Sequence, residues 1–288
     1  MELRLRPEQR EWCRQACVPL KNKAYQQAKN EYQELVTAHA NEMLHASTSD
    51  HPYCRSGTRV VLQGSSEFVN ANFITPNAIC GGEPDSPLHF WEMVVQCKCR
   101  AVVKLTQARS SFIDMGSEYF PLRTGESQVY GRITVTNRSS SRSSNEVTKR
   151  ILGVECQGYQ PFTLEHFQYS WSDFGVPKRI EPIQEMFAAL YRLPSDCSYF
   201  VHCRAGIGRA GTFITIDHVL RCILGGNLSV VNISETVARL REQRRGLVET
   251  HDQYWFCFKA VIKELELLMF SAQPKNQEFH ASARKLEV

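Results

Sequence analysis

One stretch limits the fold more than any other. Ser198 to Phe213, SYFVHCRAGIGRAGTF, runs from an apolar segment through a glycine-bearing loop into a pattern with Phe213, Ile216, Leu220, Ile223 and Leu224 on one face. A short apolar run bounded by glycines reads as a buried strand, and the three-and-four spacing after it reads as a helix packed on one side. A strand that feeds a helix through such a loop presents several backbone N–H groups at a helix N-terminus, where an anion is favoured. Gly206 and Gly208 let those amides turn inward without interference from a Cβ. Arg209, in the first turn, offers a planar fork that fits two oxygens of one anion. The same amides and helix dipole are expected to lower the thiol pKa of Cys203 and make it a nucleophile. A buried thiol beside a tight turn would account for a cysteine and an arginine with five residues between them, but not for the full string in this strand–loop–helix setting.

The rest of the chain surrounds this unit with strands first and helices last. Residues from about Gln9 to Asn41 are rich in Gln, Glu, Lys and Ala and read as a leading helical region outside the core. Thr58–Leu62 and Phe68–Ile74 read as short strands, Pro87–Gln96 as a helix, and Ala101–Leu105 as a buried strand. Asn137–Glu146, NRSSSRSSNE, reads as a low-complexity hairpin tip or loop. Alternation at Phe167, Tyr169 and Trp171 gives a strand, and a helix follows over about Glu181–Arg192. Gly225-Gly226 caps the helix after the glycine loop, a second helix opens at Asn232 with Glu235, and a third opens with the capping-box spacing Thr250 to Gln253. The expectation is an α/β chain with a single domain, a twisted mixed sheet flanked by helices. Its divisions are a helical extension at 1–50, a catalytic unit at 51–270 and a polar tail at 271–288.

Bulk properties narrow the function classes. A net charge of +4 on 288 residues is too mild to indicate nucleic acid. No run approaches the ~18 apolar residues of a membrane span. The N-terminal MELRLRPEQREW lacks a signal peptide's apolar core, and eleven irregularly spaced cysteines read as reduced thiols, so a cytoplasmic location is expected. Cys97/Cys99 and Cys13/Cys17 have no matching ligand pair, which argues against zinc.

HCRAGIGRAGTF resembles the signature of the cysteine-dependent protein tyrosine phosphatases. Trp171-Ser-Asp-Phe-Gly-Val-Pro177 resembles that family's mobile acid loop, Phe68-Val-Asn-Ala-Asn72 its Asn-containing strand, and Phe90-Trp-Glu-Met93 its helix motif. Arg245 to Tyr254 is similar to its glutamine loop, and the ending QYWFCFKAVIKELE is most like plant members. The likeness spans roughly Arg59 to Leu268. It implies hydrolysis of protein phosphotyrosine without a metal or other cofactor. Cys203 would attack phosphorus, while Arg209 and the amides of Arg204, Ala205, Gly206, Ile207 and Gly208 hold the phosphoryl oxygens. Asp173 would protonate the leaving phenolate and then act as base toward water. His202 and Trp171 would support the site, and Gln253 would place the water. The partners implied are phosphotyrosine-containing proteins, and the oligomeric state stays open.

Several positions depart from the family pattern. Ala210 replaces a hydroxyl residue that would donate to the cysteine sulfur, so slow breakdown of the phosphoenzyme is expected. Ser172 replaces a proline, and the strand before Trp171 is one residue short; both would loosen closure of the acid loop. Glu249 stands at a glutamine position, where a carboxylate would act as a base or repel phosphate. Arg204 replaces a small residue and reads as solvent-facing. The phosphotyrosine-depth loop is not visible, with Tyr53 its only candidate, and TPNAICGGEPDSP replaces the segment expected after Ile74. Two alternatives therefore stand beside the leading one: a phosphotyrosine-binding pseudophosphatase, and a phosphatase of dual specificity or of inositol lipids.

Overall fold

A computed structural model describes residues 5–44, 51–106 and 118–270; the tail expected at 271–288 lies outside these residues. Eight strands form one sheet: β1 (Ala71–Thr75), β2 (Ala78–Gly81), β3 (Cys99–Lys104), β4 (Ser127–Tyr130), β5 (Ile133–Arg142), β6 (Thr148–Cys156), β7 (Phe162–Gln168) and β8 (Ser198–His202), in the order β1-β2-β8-β3-β7-β6-β5-β4. The four central strands β2, β8, β3 and β7 run parallel, and both edges pair antiparallel. Alternate residues of the central strands enter two different cores. Tyr199 and Val201 of β8 and Ala101 and Val103 of β3 face one cluster, while Phe200 and Val102 face the other. Burial on both faces is why SYFVH and CRAVVK read as nearly continuous apolar runs.

Helix α3 (Pro87–Gln96) covers one face with Phe90, Trp91 and Val94; the side chain of Ser86 caps it by accepting from the amide of His89 at 3.3 Å. The other face carries α4 (Glu181–Leu190), α5 (Arg209–Leu224), α6 (Ile233–Arg241) and α7 (His251–Phe270), together with α1 (Pro7–Asn22) and α2 (Tyr25–Leu44). The first two helices belong to this core, contrary to the sequence reading that set them outside it. Cys13, Ala16, Leu20 and Ala28 are buried in the same cluster as α5 and α7. Their polar composition misled because only one stripe of each helix is apolar. Gln9 Nε2 donates to the Leu224 carbonyl at 3.0 Å, and the Trp12 ring lies against Gly226, the left-handed residue (φ +88°) that ends α5. Burial pushes the Cys13 thiol up to about 12.

Three other segments differ from expectation. Thr58–Leu62 adds only a single bridge, Arg59 to Asn72, and β1 begins at Ala71 rather than Phe68. The serine-rich run is mostly strand: β5 continues to Arg142 paired with β6, its register shifting between Asn137 and Ser139, and the turn occupies 143–147. Exposed serines at its outer end hide a pattern that the buried Ile133 and Val135 carry. Strand β2 lies within the segment that departs from the family pattern. The α7 capping box is present, with Gln253 N donating to Thr250 Oγ1 at 3.2 Å and Thr250 N to Gln253 Oε1 at 3.3 Å. All eleven cysteines are free, and no helix among the described residues is long and apolar enough to cross a membrane.

Candidate active site

The loop from Cys203 to Gly208 sits where β8 ends and α5 begins, at the carboxyl end of the parallel strands. Three successive carbonyls are turned outward and tied down. Glu83 N donates to Arg204 O at 3.1 Å, Arg244 NH2 to Ala205 O at 3.0 Å, and Arg244 Nε to Gly206 O at 2.7 Å. In a trans peptide the next amide points opposite to each carbonyl, so the N–H groups of Ala205, Gly206 and Ile207 face the other way. Among the described residues these amides carry no hydrogen bond. They form the convergent donor set expected of an anion cradle. Gly206 is required here: its φ is +71°, and a Cβ on it would lie 2.2 Å from the backbone of Gly81.

Arg244 went unnoticed in the sequence. It is fully buried, and it also donates to Asn72 Oδ1 and to Asn70 Oδ1, each at 2.8 Å. Both asparagines come from FVNAN, so this motif serves the loop through Arg244. The one signal available was the pairing of two asparagines with an arginine 172 residues away, which only the fold brings together.

Arg209 is buried at the start of α5. Its NH1 donates to the Trp171 carbonyl at 2.8 Å, and its NH2 pairs with Asp173 Oδ1. Asp173 is half-exposed on the segment after β7, and Trp171 is buried edge-on against Phe256. The loop braces itself through Trp171 Nε1 to Gly175 O at 2.8 Å and is tied to α7 through Thr250 Oγ1 to Phe174 O at 3.1 Å. Phe174 has φ +58° and is exposed at its tip. With Ser172 in place of proline the loop nevertheless lies down on Arg209, because these three carbonyl contacts do the holding. A cleft of about 410 Å³ between the two loops is lined by Glu83, Thr106, Trp171, Asp173, Arg204 and Arg209.

Behind the cysteine, His202 is fully buried with Nε2 2.7 Å from the Tyr119 hydroxyl, which is 3.0 Å from His166 Nε2. Burial, then Lys104 and Arg209, hold His202 well below the usual histidine range, so it is neutral. Cys203 is 2% exposed, and Ala210 is fully buried in the same core. Ile207 is buried and its carbonyl accepts from Val248 N at 3.1 Å, so only its backbone N–H is available to a ligand. Arg204 is exposed and lines the cleft.

Glu249 and Gln253 converge on Gly208. A Cβ placed there would come 2.6 Å from Glu249 Oε2 and 3.1 Å from both Gln253 amide atoms. Burial pushes the Glu249 carboxyl up, opposed by Arg209 and reinforced by Asp173. Tyr53 holds the segment before Glu249, its carbonyl accepting from Arg245 N at 2.9 Å. The structure thus gathers Cys203, Arg209, Asp173, Trp171, Gly208, Glu249 and Gln253 around one loop.

The family model described as protein-tyrosine phosphatase matches residues 45–263. The chain belongs to the protein-tyrosine phosphatase family. It is 35% identical over 214 residues to protein-tyrosine-phosphatase PTP1 of Arabidopsis thaliana, covering 69% of this chain and 62% of that protein. It is 31% identical over 244 residues to human tyrosine-protein phosphatase non-receptor type 9, covering 74% of this chain and 40% of that protein. The chain thus spans less than two thirds of the length of these relatives. A solved structure of PTPN18 in complex with HER2-pY1196 phosphopeptides superposes with TM-score 0.72 at 21% identity, covering 83% of this chain and 93% of that one, which extends the likeness to the fold.

Proposed function

We propose that this chain hydrolyses phosphotyrosine in proteins through a cysteinyl-phosphate intermediate. The observation that carries the reading is the single guanidinium of Arg209 joining the two loops: it starts the helix behind the Cys203 loop and at the same time holds Asp173 and the Trp171 carbonyl. The nucleophile's loop, the anion-binding fork and the proton donor are therefore within one residue's reach.

The Cys203 sulfur attacks phosphorus as the bond to the tyrosyl oxygen breaks. Arg209 and the amides of Ala205, Gly206, Ile207 and Gly208 take the equatorial oxygens, whose charge grows in the transition state. Asp173 gives its proton to the departing phenolate. Neutral His202, held through Nε2 by the Tyr119 hydroxyl, adds no charge behind the sulfur. Water then attacks the phosphocysteine, the P–S bond breaks, and phosphate leaves. No metal or cofactor enters these steps. The catalytic unit is taken as 51–270 with the helical extension 1–50 packed on it, the location as cytoplasmic, and the substrates as phosphotyrosine-containing proteins.

The test is phosphate release from a phosphotyrosyl peptide by the full chain and by Cys203→Ser, with a phosphoseryl peptide and an inositol phosphate as controls. Turnover confined to phosphotyrosine and lost in the serine variant is the expected result. Peptide bound without turnover would make the chain a phosphotyrosine reader, and turnover of the controls would move the substrate class.

A further inference from the structure

The site holds a second carboxylate that the first step does not use. Asp173 reaches Arg209 from the acid loop, whereas Glu249 approaches from the segment before α7, with Oε2 against Gly208. Next to it, Gln253 is fully buried, and its Oε1 accepts from the amides of Glu249 (3.0 Å) and Thr250 (3.3 Å). Those two bonds fix which way the side-chain amide faces. Its Nε2, as close to the Gly208 Cβ position as Oε1 is, is buried without an acceptor among the described residues. An orphaned buried donor costs about 1–3 kcal/mol, so a group that accepts from it there is favoured. A carboxylate acceptor and an amide donor thus flank one point beside the residue that precedes Arg209, an arrangement that fits a water able to accept from one and donate to the other.

The backbone around Glu249 is fixed at some cost. Val248 is fully buried with φ +62°, a conformation β-branched residues rarely adopt. It is held there by its amide to Ile207 O at 3.1 Å and by Arg241 NH2 to its carbonyl at 3.0 Å. Tyr32 of α2 donates its hydroxyl to the Glu249 carbonyl, and Arg241 NH1 donates to Leu35 O at 2.7 Å, so α2 clamps this segment. Strain held in place by packing aims the next side chain at the loop.

We propose that Glu249 is the general base of phosphoenzyme breakdown, taking a proton from a water that Gln253 Nε2 orients, with Asp173 confined to the first step; this rests on the phosphatase reading above. The water oxygen bonds to phosphorus, the P–S electron pair returns to Cys203, the proton passes to the Glu249 carboxylate, and phosphate departs. The groups facing Glu249 are Arg209 from α5, Asp173 from the acid loop and Tyr32 from α2, with Arg241 of α6 behind it. Burial and Asp173 raise the carboxyl, which brings it closer to the working pH, where a base is most effective.

The deciding experiment is rapid-mixing kinetics of the full chain with 4-nitrophenyl phosphate, whose leaving group needs no proton, from acid to neutral pH. Wild type, Glu249→Gln, Asp173→Asn and Cys203→Ser are compared. The burst reads phosphocysteine formation and the steady state reads its breakdown. Glu249→Gln is expected to keep the burst and to slow breakdown by about a hundredfold, a typical share for a general base. The rise of wild-type breakdown with pH should vanish in this variant and persist in Asp173→Asn. Breakdown in Glu249→Gln as fast as wild type, loss of its burst, or an equal slowing in Asp173→Asn would each overturn the assignment. A wild type with no burst, indistinguishable from Cys203→Ser, would overturn the phosphatase reading itself.

Discussion

Arg244→Lys keeps the buried charge but shortens its reach. The guanidinium makes four hydrogen bonds of 2.7 to 3.0 Å in different directions, to Gly206 O, Ala205 O, Asn72 Oδ1 and Asn70 Oδ1. One ammonium nitrogen on an unbranched stem cannot span that set, and at least two of the four acceptors lose their partner. Hydrogen bonds to a charged group contribute about 1.5–3 kcal/mol each, so two of them amount to about 3 kcal/mol. That is a large part of the ~5–15 kcal/mol that holds a domain folded. The same loss frees the loop carbonyls of Ala205 and Gly206 to rotate, which turns the following amides away from the phosphoryl group. Urea unfolding followed by intrinsic fluorescence should show the stability drop, and inhibition by inorganic phosphate should weaken in parallel. A variant whose unfolding free energy lies within about 0.5 kcal/mol of wild type, with unchanged phosphate inhibition, would refute this account of the loop.

Ala210→Ser should speed phosphoenzyme breakdown severalfold with an unchanged burst, because a hydroxyl at this buried first-turn position can donate to the departing sulfur; equal rates in burst kinetics would contradict it. Gly206→Ala should cost about 3 kcal/mol or more in urea unfolding, since its Cβ would meet the backbone of Gly81 at 2.2 Å and its φ is +71°. Glu264 is 4% exposed, and burial pushes its carboxyl from 4.5 up to about 7, against a smaller opposing hydrogen bond from Gln184. The folded state therefore holds this proton more tightly than the unfolded chain. The corresponding stability is present below about pH 4.5 and is lost as pH rises toward 7. Glu264→Gln should remove up to about 3 kcal/mol of that decline, read as a smaller difference in unfolding free energy between pH 5 and pH 8.

The parts of the molecule that are local in sequence were legible. SYFVH ends at the residues expected, Pro87–Gln96 is a helix over those bounds, and the Thr250–Gln253 cap forms as written. Each is determined by neighbours within a few residues. What stayed hidden depends on distant partners. Arg244 looks like one more arginine in REQRRG, and only packing shows that it ties the Cys203 loop to Asn70 and Asn72. Serines 139–141 look like a loop because this outer end of β5 is paired to β6 alone and its side chains are exposed. Glu249 was visible as a departure, but its convergence with Gln253 on Gly208 is a property of the folded chain.

The packing of α1 against α5 and α7 also bears on how the chain is made. Gln9 meets Leu224 across 215 residues, and Lys21 pairs with Glu266 at 2.7 Å near the other end of the described chain. During synthesis from the N-terminus, the first two helices emerge long before the surface that covers their apolar stripe exists. Their docking is a closing step with high sequence separation, and until it occurs Cys13, Ala16, Leu20 and Ala28 face solvent. The clamp on the segment before Glu249 uses Arg241 of α6, and the site uses Gln253 of α7, so neither is complete until those helices have left the ribosome.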